Sequence, residues 1–279
     1  MSNVSVIARK EFSDLIRSNI MIVIVVVYAV LLLFSFYMTL NAFKRDFSMP
    51  GFTYGSNNPI VNAPGDLVNV LCGYGGLVAV VLGLSSMYHE VSNRALNTLT
   101  VKPVYRDTIL NGKLLGAVLF ALLIFVFTCL ADISLNFVFW GDHFSSLFSG
   151  FVGMLPLVLI SYLLVFMTFY LLTILMFLLF NKSSLAFFMA FIAWTFIYNV
   201  LLSTFTLGLA SFFPNSDQIN SIITGLSPDA MVNRMFIFNM TNSSISTIQA
   251  NYLYFVQLLL YVGVLLVFCY TVFLRRDVA

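Results

Sequence analysis

The chain has 279 residues, of which 61% are hydrophobic and only 9% are charged. Soluble domains are about 45–50% apolar and about 25% charged, so this composition excludes both a soluble enzyme and a disordered chain. The net charge of +2 is too small to indicate nucleic-acid binding. Three widely separated cysteines provide neither a disulfide framework nor the spacing of a zinc site. The composition therefore predicts an all-α, polytopic membrane protein.

Uncharged apolar runs predict six membrane-spanning helices. A helix needs about 20 apolar residues to cross a hydrocarbon core about 30 Å thick. The run from Phe144 to Asn181 is longer than that, and Gly150, Gly153 and Pro156 are predicted to separate an interfacial segment from the span that follows. The predicted spans, all in a single transmembrane domain covering residues 1–279, are 20–43, 67–88, 114–139, 157–180, 184–213 and 252–274.

The positions of Lys and Arg predict the orientation of these spans, because cytoplasmic loops carry an excess of both residues. With both termini in the cytoplasm, ten of the 13 Lys and Arg residues lie inside, and only Lys44, Arg45 and Arg234 lie outside. The sequence therefore predicts a multi-pass protein of the cell (plasma) membrane with cytoplasmic N- and C-termini.

The outer gap before the sixth span is partly apolar. Segments 219–226 and 230–240 flank Ser227-Pro228-Asp229, where Ser227 can cap a helix that has Pro228 in its first turn. Two short helices that enter the outer leaflet explain this pattern better than a free loop. We therefore predict a re-entrant helical hairpin before the last span.

The N-terminal segment, residues 4–18, has the apolar periodicity of a helix, with Arg9, Lys10, Asp14 and Arg17 on the opposite face. This pattern predicts an amphipathic helix that lies in the inner membrane interface and turns into the first span near Ser18. A merely basic N-terminal anchor is the alternative.

The loop between the second and third spans, residues 89–113, alternates apolar and charged side chains. A loop that only connects two spans does not need this length or this regular alternation, which favours a loop that binds a partner. The alternative is an ordinary amphipathic loop. Pro103 is predicted to divide the loop into two short helices, and the loop is predicted to present one face to a cytoplasmic partner. Its charged residues are Glu90, Arg94, Lys102, Arg106, Asp107 and Lys113, and its apolar residues include Leu96, Leu99, Val101, Val104, Ile109 and Leu110.

Asp132 is the only acidic residue inside a predicted span. An intramembrane carboxylate is by default a functional hypothesis, and a position on a substrate path is one interpretation. The other is a carboxylate that is solvated at the helix end or bonded to a neighbouring helix. Asp142-His143 could add metal ligands, but two histidines without a repeated spacing predict no metal site.

Three common motifs of catalytic and nucleotide-binding sites are absent from the sequence. It contains no HExxH, GxSxG or GxxxxGK[ST] pattern, and Gly112-Lys113 lacks the upstream glycine of a phosphate-binding loop. The chain is therefore predicted to have no catalytic residues, to hold no cofactor, and not to be an enzyme.

The N-terminal segment and the loop resemble the permease subunits of ABC-2-type ATP-binding-cassette transporters. That family opens with a helix of the form xxKExxxxxR, which Lys10-Glu11 and Arg17 match, after Arg9. After its second span it has a glutamate, a TLxxLLxxPxxR stretch and a GK pair. The counterparts here are Glu90, Leu96 and Leu99, Pro103 and Arg106, and Gly112-Lys113, while Arg94-Ala95 stands where many members have Gly-Thr.

The resemblance extends over nearly the whole chain, including the six spans and the hairpin. The sequence is also similar to the single-domain permeases that accompany nitrous-oxide reductase maturation. The resemblance implies an exporter permease that works as a homodimer or heterodimer with two copies of a separate cytoplasmic ATPase, which would hold the ATP and Mg²⁺.

By the same resemblance, the segment from Glu90 to Arg106 is the coupling helix that enters a groove in the ATPase and transmits its motion to spans one, two and five. A membrane scaffold or assembly factor without transport is the alternative. An ion-coupled carrier is disfavoured because intramembrane charge is scarce, and the sequence does not specify a substrate.

Overall fold

The computed structural model describes residues 3–47, 67–92, 106–180, 183–197, 228, 231–232 and 246–275. Across these ranges the chain is almost entirely helical and contains no strand. A π-helical segment, Asn69–Gly73, leads into the third of the α-helices, which we number in chain order. They are α1 (Asn3–Arg17), α2 (Asn19–Phe47), α3 (Tyr74–Ser92), α4 (Arg106–Trp140), α5 (Asp142–Leu179), α6 (Ser183–Ile197) and α7 (Ser246–Arg275).

In the part of the chain that the structure describes, five helical stretches are long and apolar enough to cross a membrane. Each overlaps one of the six predicted spans. Helix α6 lies at the start of the remaining predicted span, 184–213, and contains the shorter apolar stretch Ser184–Thr195, while residues 198–213 lie outside the described residues. The predicted all-α, polytopic membrane class is confirmed. The five stretches are Asn19–Met38, Asn69–Met87, Thr108–Phe139, Phe148–Leu179 and Tyr252–Phe273.

Helix α5 is one continuous helix of 38 residues with Pro156 inside it, so the predicted division at this point was wrong. A proline removes one backbone hydrogen bond, but membrane helices tolerate this when neighbouring groups satisfy the freed carbonyl. No side chain packs at the Cβ positions of Gly150 and Gly153, so nothing there forces a break. At about 1.5 Å per residue, α5 is about 57 Å long and extends beyond a bilayer core of about 30 Å.

Helices α4 and α5 are joined by the single residue Gly141, whose φ of +48° is unfavourable for residues with a Cβ atom. The Gly141 N–H donates to Phe137 O at 3.1 Å, and Phe144 N–H donates to Gly141 O at 3.2 Å, so one helix ends where the next begins. The rings of Phe137 and Phe144 pack edge to face, with centroids 5.0 Å apart. The two helices therefore form a tight antiparallel pair.

The buried core lies mainly where α3 packs against α5. A Cβ atom at Gly76 would lie 2.7 Å from the Phe169 ring, and one at Gly83 would lie 3.0 Å from Thr173 Cβ. Small residues allow membrane helices to approach closely, and van der Waals packing then holds them together. By contrast, only 22% of the α2 span and 11% of the α7 span are buried, so these helices present most of their apolar surface outward.

Two tyrosine hydroxyl groups lie side by side in this core. Tyr28 of α2 and Tyr162 of α5 are fully buried, and among the described residues neither hydroxyl has a well-aligned hydrogen-bond partner, although the two hydroxyls interact with each other. Both side chains border Gly75, because a Cβ atom there would lie 2.8 Å from the Tyr162 ring and 3.5 Å from the Tyr28 hydroxyl. A buried polar group without a partner costs about 1–3 kcal/mol, and a poorly aligned interaction between the two hydroxyls offsets only part of that cost, so the core is not optimised for stability at this point.

The predicted outer hairpin falls largely outside the described residues. Of its segments and the turn between them, the structure describes Pro228, Met231 and Val232, and all three are buried. The re-entrant hairpin therefore stays a prediction.

Candidate functional site

Lys113 lies in the second turn of α4, and its side chain is only 1% exposed. Its ammonium group donates to Glu11 Oε1 at 2.7 Å, to the backbone oxygen of Ser86 at 3.0 Å and to Ser86 Oγ at 2.9 Å. A lysine ammonium has three N–H donors, so these acceptors can engage all of them. A buried charge is tolerated when it is both paired and hydrogen-bonded, and Lys113 meets both conditions.

Four helices meet at this lysine. Glu11 belongs to α1, Ser86 to α3 and Lys113 to α4, while the hydroxyl of Tyr170, on α5, lies 3.5 Å from Ser86 Oγ. We call these four residues the Lys113 junction. Because these contacts join α1 to α4, α3 to α4 and α3 to α5, the junction holds the four helices in register at this level.

Two glycines of α4 let α1 lie directly against it beside the junction. A Cβ atom at Gly112 would lie 2.5 Å from Ile7 Cγ2, and one at Gly116 would lie 2.9 Å from Glu11 Cβ. Ala8 and Leu15, on the same face of α1, are buried. The apolar face of α1 is therefore covered by α4, and the glycine spacing brings Glu11 within reach of Lys113.

Helix α7 contacts the same part of the molecule from another side. The hydroxyl of Tyr270 donates to Asn111 Oδ1, two residues before Lys113. The thiol of Cys269 donates to the backbone oxygen of Leu171 at 3.3 Å, next to Tyr170. The last span is thus attached to α4 and α5 at the level of the junction.

Two residues of the junction, Ser86 and Lys113, lie on the two helices that flank the loop predicted to contact a cytoplasmic partner. Ser86 precedes the end of α3 at Ser92 by six residues, and Lys113 follows the start of α4 at Arg106 by seven. Glu90 is in the last turns of α3, whereas Arg94, Leu96, Leu99 and Pro103 lie outside the described residues. The Lys113–Ser86 contact therefore joins the two helices from which this loop departs.

The sequence-predicted residues of α1 divide into two groups. Arg9, Lys10 and Arg17 are exposed, whereas Glu11 faces α4 and pairs with Lys113. The structure therefore brings together two predicted residues that belong to separate segments, and it places the other three on the outer surface of the helix.

Sequence reasoning missed the burial of Lys113 and the roles of Ser86 and Tyr170. One available signal was the apolar periodicity around the lysine, since Ile109, Leu110, Leu114 and Ala117 are buried on the same face of α4. That pattern indicates that the helix already faces protein before the predicted span begins. No local signal identifies Ser86 or Tyr170, because neither is charged nor part of a motif.

Asp132 is 5% exposed, so it is not the solvated carboxylate that one interpretation proposed. The amide of Asn136, one turn later on α4, donates to Asp132 Oδ2 at 3.2 Å and to the Asp132 backbone oxygen at 3.0 Å. The residue lies in the part of α4 remote from the junction. Its position on a substrate path stays a prediction.

Among the described residues, no group of three or more His, Cys, Asp or Glu side chains could hold a metal ion. The cysteines Cys72, Cys129 and Cys269 are buried and form no disulfide within the part of the chain that the structure describes. The Lys113 junction consists of an ammonium group whose three donors can all be engaged, its acceptors on Glu11 and Ser86, and the neighbouring hydroxyl of Tyr170. Such an arrangement is suited to holding helices in position rather than to chemical reaction.

Comparison with known proteins gives a match of nearly full length. The family model described as ABC-2 family transporter protein matches residues 5–278, which include the Lys113 junction and all but the ends of the described helices. No curated protein matches the sequence.

Proposed function

The chain belongs to the ABC-2 family of transporter proteins, and on this premise we propose that it is the permease subunit of an ATP-binding-cassette exporter of the plasma membrane. Proteins of this family are membrane transport components rather than enzymes, and they generally work as dimers with a cytoplasmic ATPase subunit. In our proposal two copies of a separate ATPase bind ATP and Mg²⁺, and both termini of the permease are cytoplasmic.

The Lys113 junction is the observation that supports this proposal most directly. A permease without its own nucleotide site needs a path along which motion of the ATPase reaches the membrane spans. The loop between α3 and α4 is the proposed contact with the ATPase, and the Lys113–Ser86 contact ties its two ends together. Displacement of the loop therefore moves α3 and α4 as a pair.

The ion pair extends this path to the first span. Glu11 is bonded to Lys113, and α1 is separated from α2 by Ser18 alone. A shift of α4 at Lys113 thus acts on α1, and α1 acts on α2 through a connection too short to absorb the movement. Tyr170 and Tyr270 offer similar routes to α5 and α7.

The proposed coupling residues have different roles within this path. Leu96 and Leu99 enter the groove of the ATPase, Glu90, Arg94 and Arg106 border it, and Pro103 shapes the segment. Lys113 does not contact the ATPase, because its side chain is buried and its donors are engaged within the permease. It anchors the loop instead.

The substrate path is the least specified part of the proposal. Asp132, with Asn136 beside it, contributes a buried polar position to α4 within the membrane. We propose that Asp132 borders the path, and the substrate class is left open. The similarity to the permeases of nitrous-oxide reductase maturation stays a prediction.

The proposal is tested by purifying the tagged permease alone and together with a P-loop ATPase encoded by the neighbouring reading frame, both in lipid. The permease alone should not hydrolyse ATP, and the complex should do so at a rate that depends on the permease. ATP hydrolysis by a preparation free of other chains would contradict the proposal. Capture of the ATPase with no change in its hydrolysis rate would favour the scaffold alternative.

A further inference from the structure

The exposed face of α1 carries a net positive charge. Arg9, Lys10 and Arg17 are all exposed, and Asp14 is the only acidic side chain among them. Glu11 does not reduce this charge, because it is paired with the buried Lys113. The face therefore presents three cations and one anion, a net charge of about +2 on a helix of 15 residues.

Two apolar side chains lie on the same outer surface of α1. Val6 is 55% exposed and Ile16 is 37% exposed, although the inward apolar face of the helix is already covered by α4. Basic residues beside exposed apolar ones are typical of helices at the headgroup level of a bilayer, where the apolar groups reach the acyl boundary and long cationic side chains extend to phosphate.

The position of α1 along two membrane spans places it at this level. A single residue, Ser18, lies between the end of α1 and the start of the candidate span Asn19–Met38. It also packs on α4 at Gly116, which lies within the candidate span Thr108–Phe139, and the 23 residues from Gly116 to Phe139 make about 34 Å of helix. That distance is close to a bilayer core of about 30 Å. Both measures are consistent with a position of α1 near one boundary of the hydrocarbon core.

We infer that the exposed face of α1, formed by Val6, Arg9, Lys10, Ile16 and Arg17, binds the headgroups of anionic phospholipids. Charge complementarity selects anionic over zwitterionic lipid, and the exposed apolar residues favour a lipid over free phosphate. Because α1 is bonded to α4 through Glu11, bound lipid stabilises the packed position of α1. This inference requires only that the chain lies in a membrane, and so it does not depend on the proposed transport function.

The test uses the full-length permease without an ATPase, purified in dodecyl maltoside. Its midpoint of thermal unfolding is measured while dioleoylphosphatidylglycerol or dioleoylphosphatidylcholine is added. Phosphatidylglycerol should raise the midpoint at lower concentrations than phosphatidylcholine. In R9Q/K10Q/R17Q the half-saturating concentration of phosphatidylglycerol should rise at least tenfold, since each basic residue near an anionic surface contributes about a fivefold effect.

The matched control is K44Q/R45Q/R234Q, which removes the same number of positive charges elsewhere in the chain and should respond to phosphatidylglycerol like the wild type. The conservative variant R9K/R17K should also retain the response. In the wild type, about 0.5 M NaCl should remove most of the difference between the two lipids, because the screening length falls to roughly 4 Å. This last measurement needs no variant to fold.

The inference is overturned if the two lipids act equally on the wild type, or if the triple variant keeps the wild-type response. If the triple variant keeps that response and also no longer binds the ATPase, the face is a protein-binding surface instead. None of these results would affect the proposed function, which is judged by ATP hydrolysis in the complex.

Discussion

Lys113 Nζ lies 2.7 Å from Glu11 Oε1, although 102 residues separate the two in the sequence. The lysine side chain is 1% exposed and the glutamate side chain 19%, so the pair is at the edge of the core rather than at its centre. Removing one member of such a pair leaves the other charge without its partner in a poorly solvated site. That cost usually exceeds the net stabilisation that the intact pair provides.

We therefore predict that Lys113→Met lowers the free energy of unfolding by about 2–3 kcal/mol, because Glu11 keeps its charge and loses its partner. The double variant E11Q/K113M should recover at least half of that loss. The measurement is unfolding of the purified permease in detergent at increasing denaturant. Lys10→Met, on the exposed side of α1, is the control and should leave stability unchanged. If Lys113→Met behaves like that control, the lysine is not buried and paired as described.

Gly116→Ala should separate α1 from α4. The added Cβ atom would lie 2.9 Å from Glu11 Cβ and 3.3 Å from the Ala8 backbone oxygen, and neither is the end of a flexible side chain. We expect a loss of about 1–3 kcal/mol and faster hydrogen exchange of the α1 amides. Gly153→Ala is the matched control, because no atom lies within 4 Å of its Cβ position and alanine is the better helix former. Equal effects of both substitutions would argue against close packing of α1 on α4.

The two buried tyrosine hydroxyls in the core give a prediction of the opposite sign, which is a gain in stability. Tyr28→Phe with Tyr162→Phe removes two buried polar groups and, with them, only the poorly aligned interaction between the two hydroxyls. The double variant should be at least as stable as the wild type, with a gain of about 1 kcal/mol or more. Tyr170→Phe is the control, and it should reduce stability because its hydroxyl lies next to Ser86 Oγ. A clear loss of stability in the double variant would mean that the interactions of the two hydroxyls stabilise the protein by more than their burial costs.

Coupling is tested in the loop itself. Leu96→Ala with Leu99→Ala should sharply reduce copurification of the ATPase, because truncating a buried apolar anchor costs about 2 kcal/mol or more. Glu90→Ala should leave assembly largely intact, since one charge of a rim pair contributes at most about 1 kcal/mol, while permease-dependent ATP hydrolysis falls. The measurements are pull-down of the ATPase and its rate in lipid. A double leucine variant that assembles and hydrolyses like the wild type would remove this loop from the proposed coupling path.

Orientation is tested by labelling single cysteines in a variant that lacks Cys72, Cys129 and Cys269. Cysteines at Ser56 and Ser244 should react with an impermeant thiol reagent added from outside the cell, and one at Ser92 should not. The physical basis is the excess of Lys and Arg in the loops assigned to the cytoplasm. The reverse pattern of labelling would require the whole arrangement to be inverted.

Several features of the fold could be predicted because they depend on local sequence. Each candidate span is an apolar run that must satisfy its own backbone hydrogen bonds within the membrane, and this requirement is visible in the run itself. The helical periodicity of residues 4–18 likewise predicted a helix where α1 lies. The division of α5 at Pro156 was predicted wrongly, because the local signal of a proline does not reveal whether neighbouring groups satisfy the freed carbonyl.

The sequence by itself determined the class of the protein, the positions of its apolar helices and the two segments that resemble a transporter permease. Only the tertiary structure decided that Lys113 is buried, that Glu11 is its partner and that Ser86 accepts two of its hydrogen bonds. The physical reason is distance along the chain. Whether a charged side chain is exposed or buried depends on partners that other helices bring to it, and here they come from residues 27 and 102 positions away.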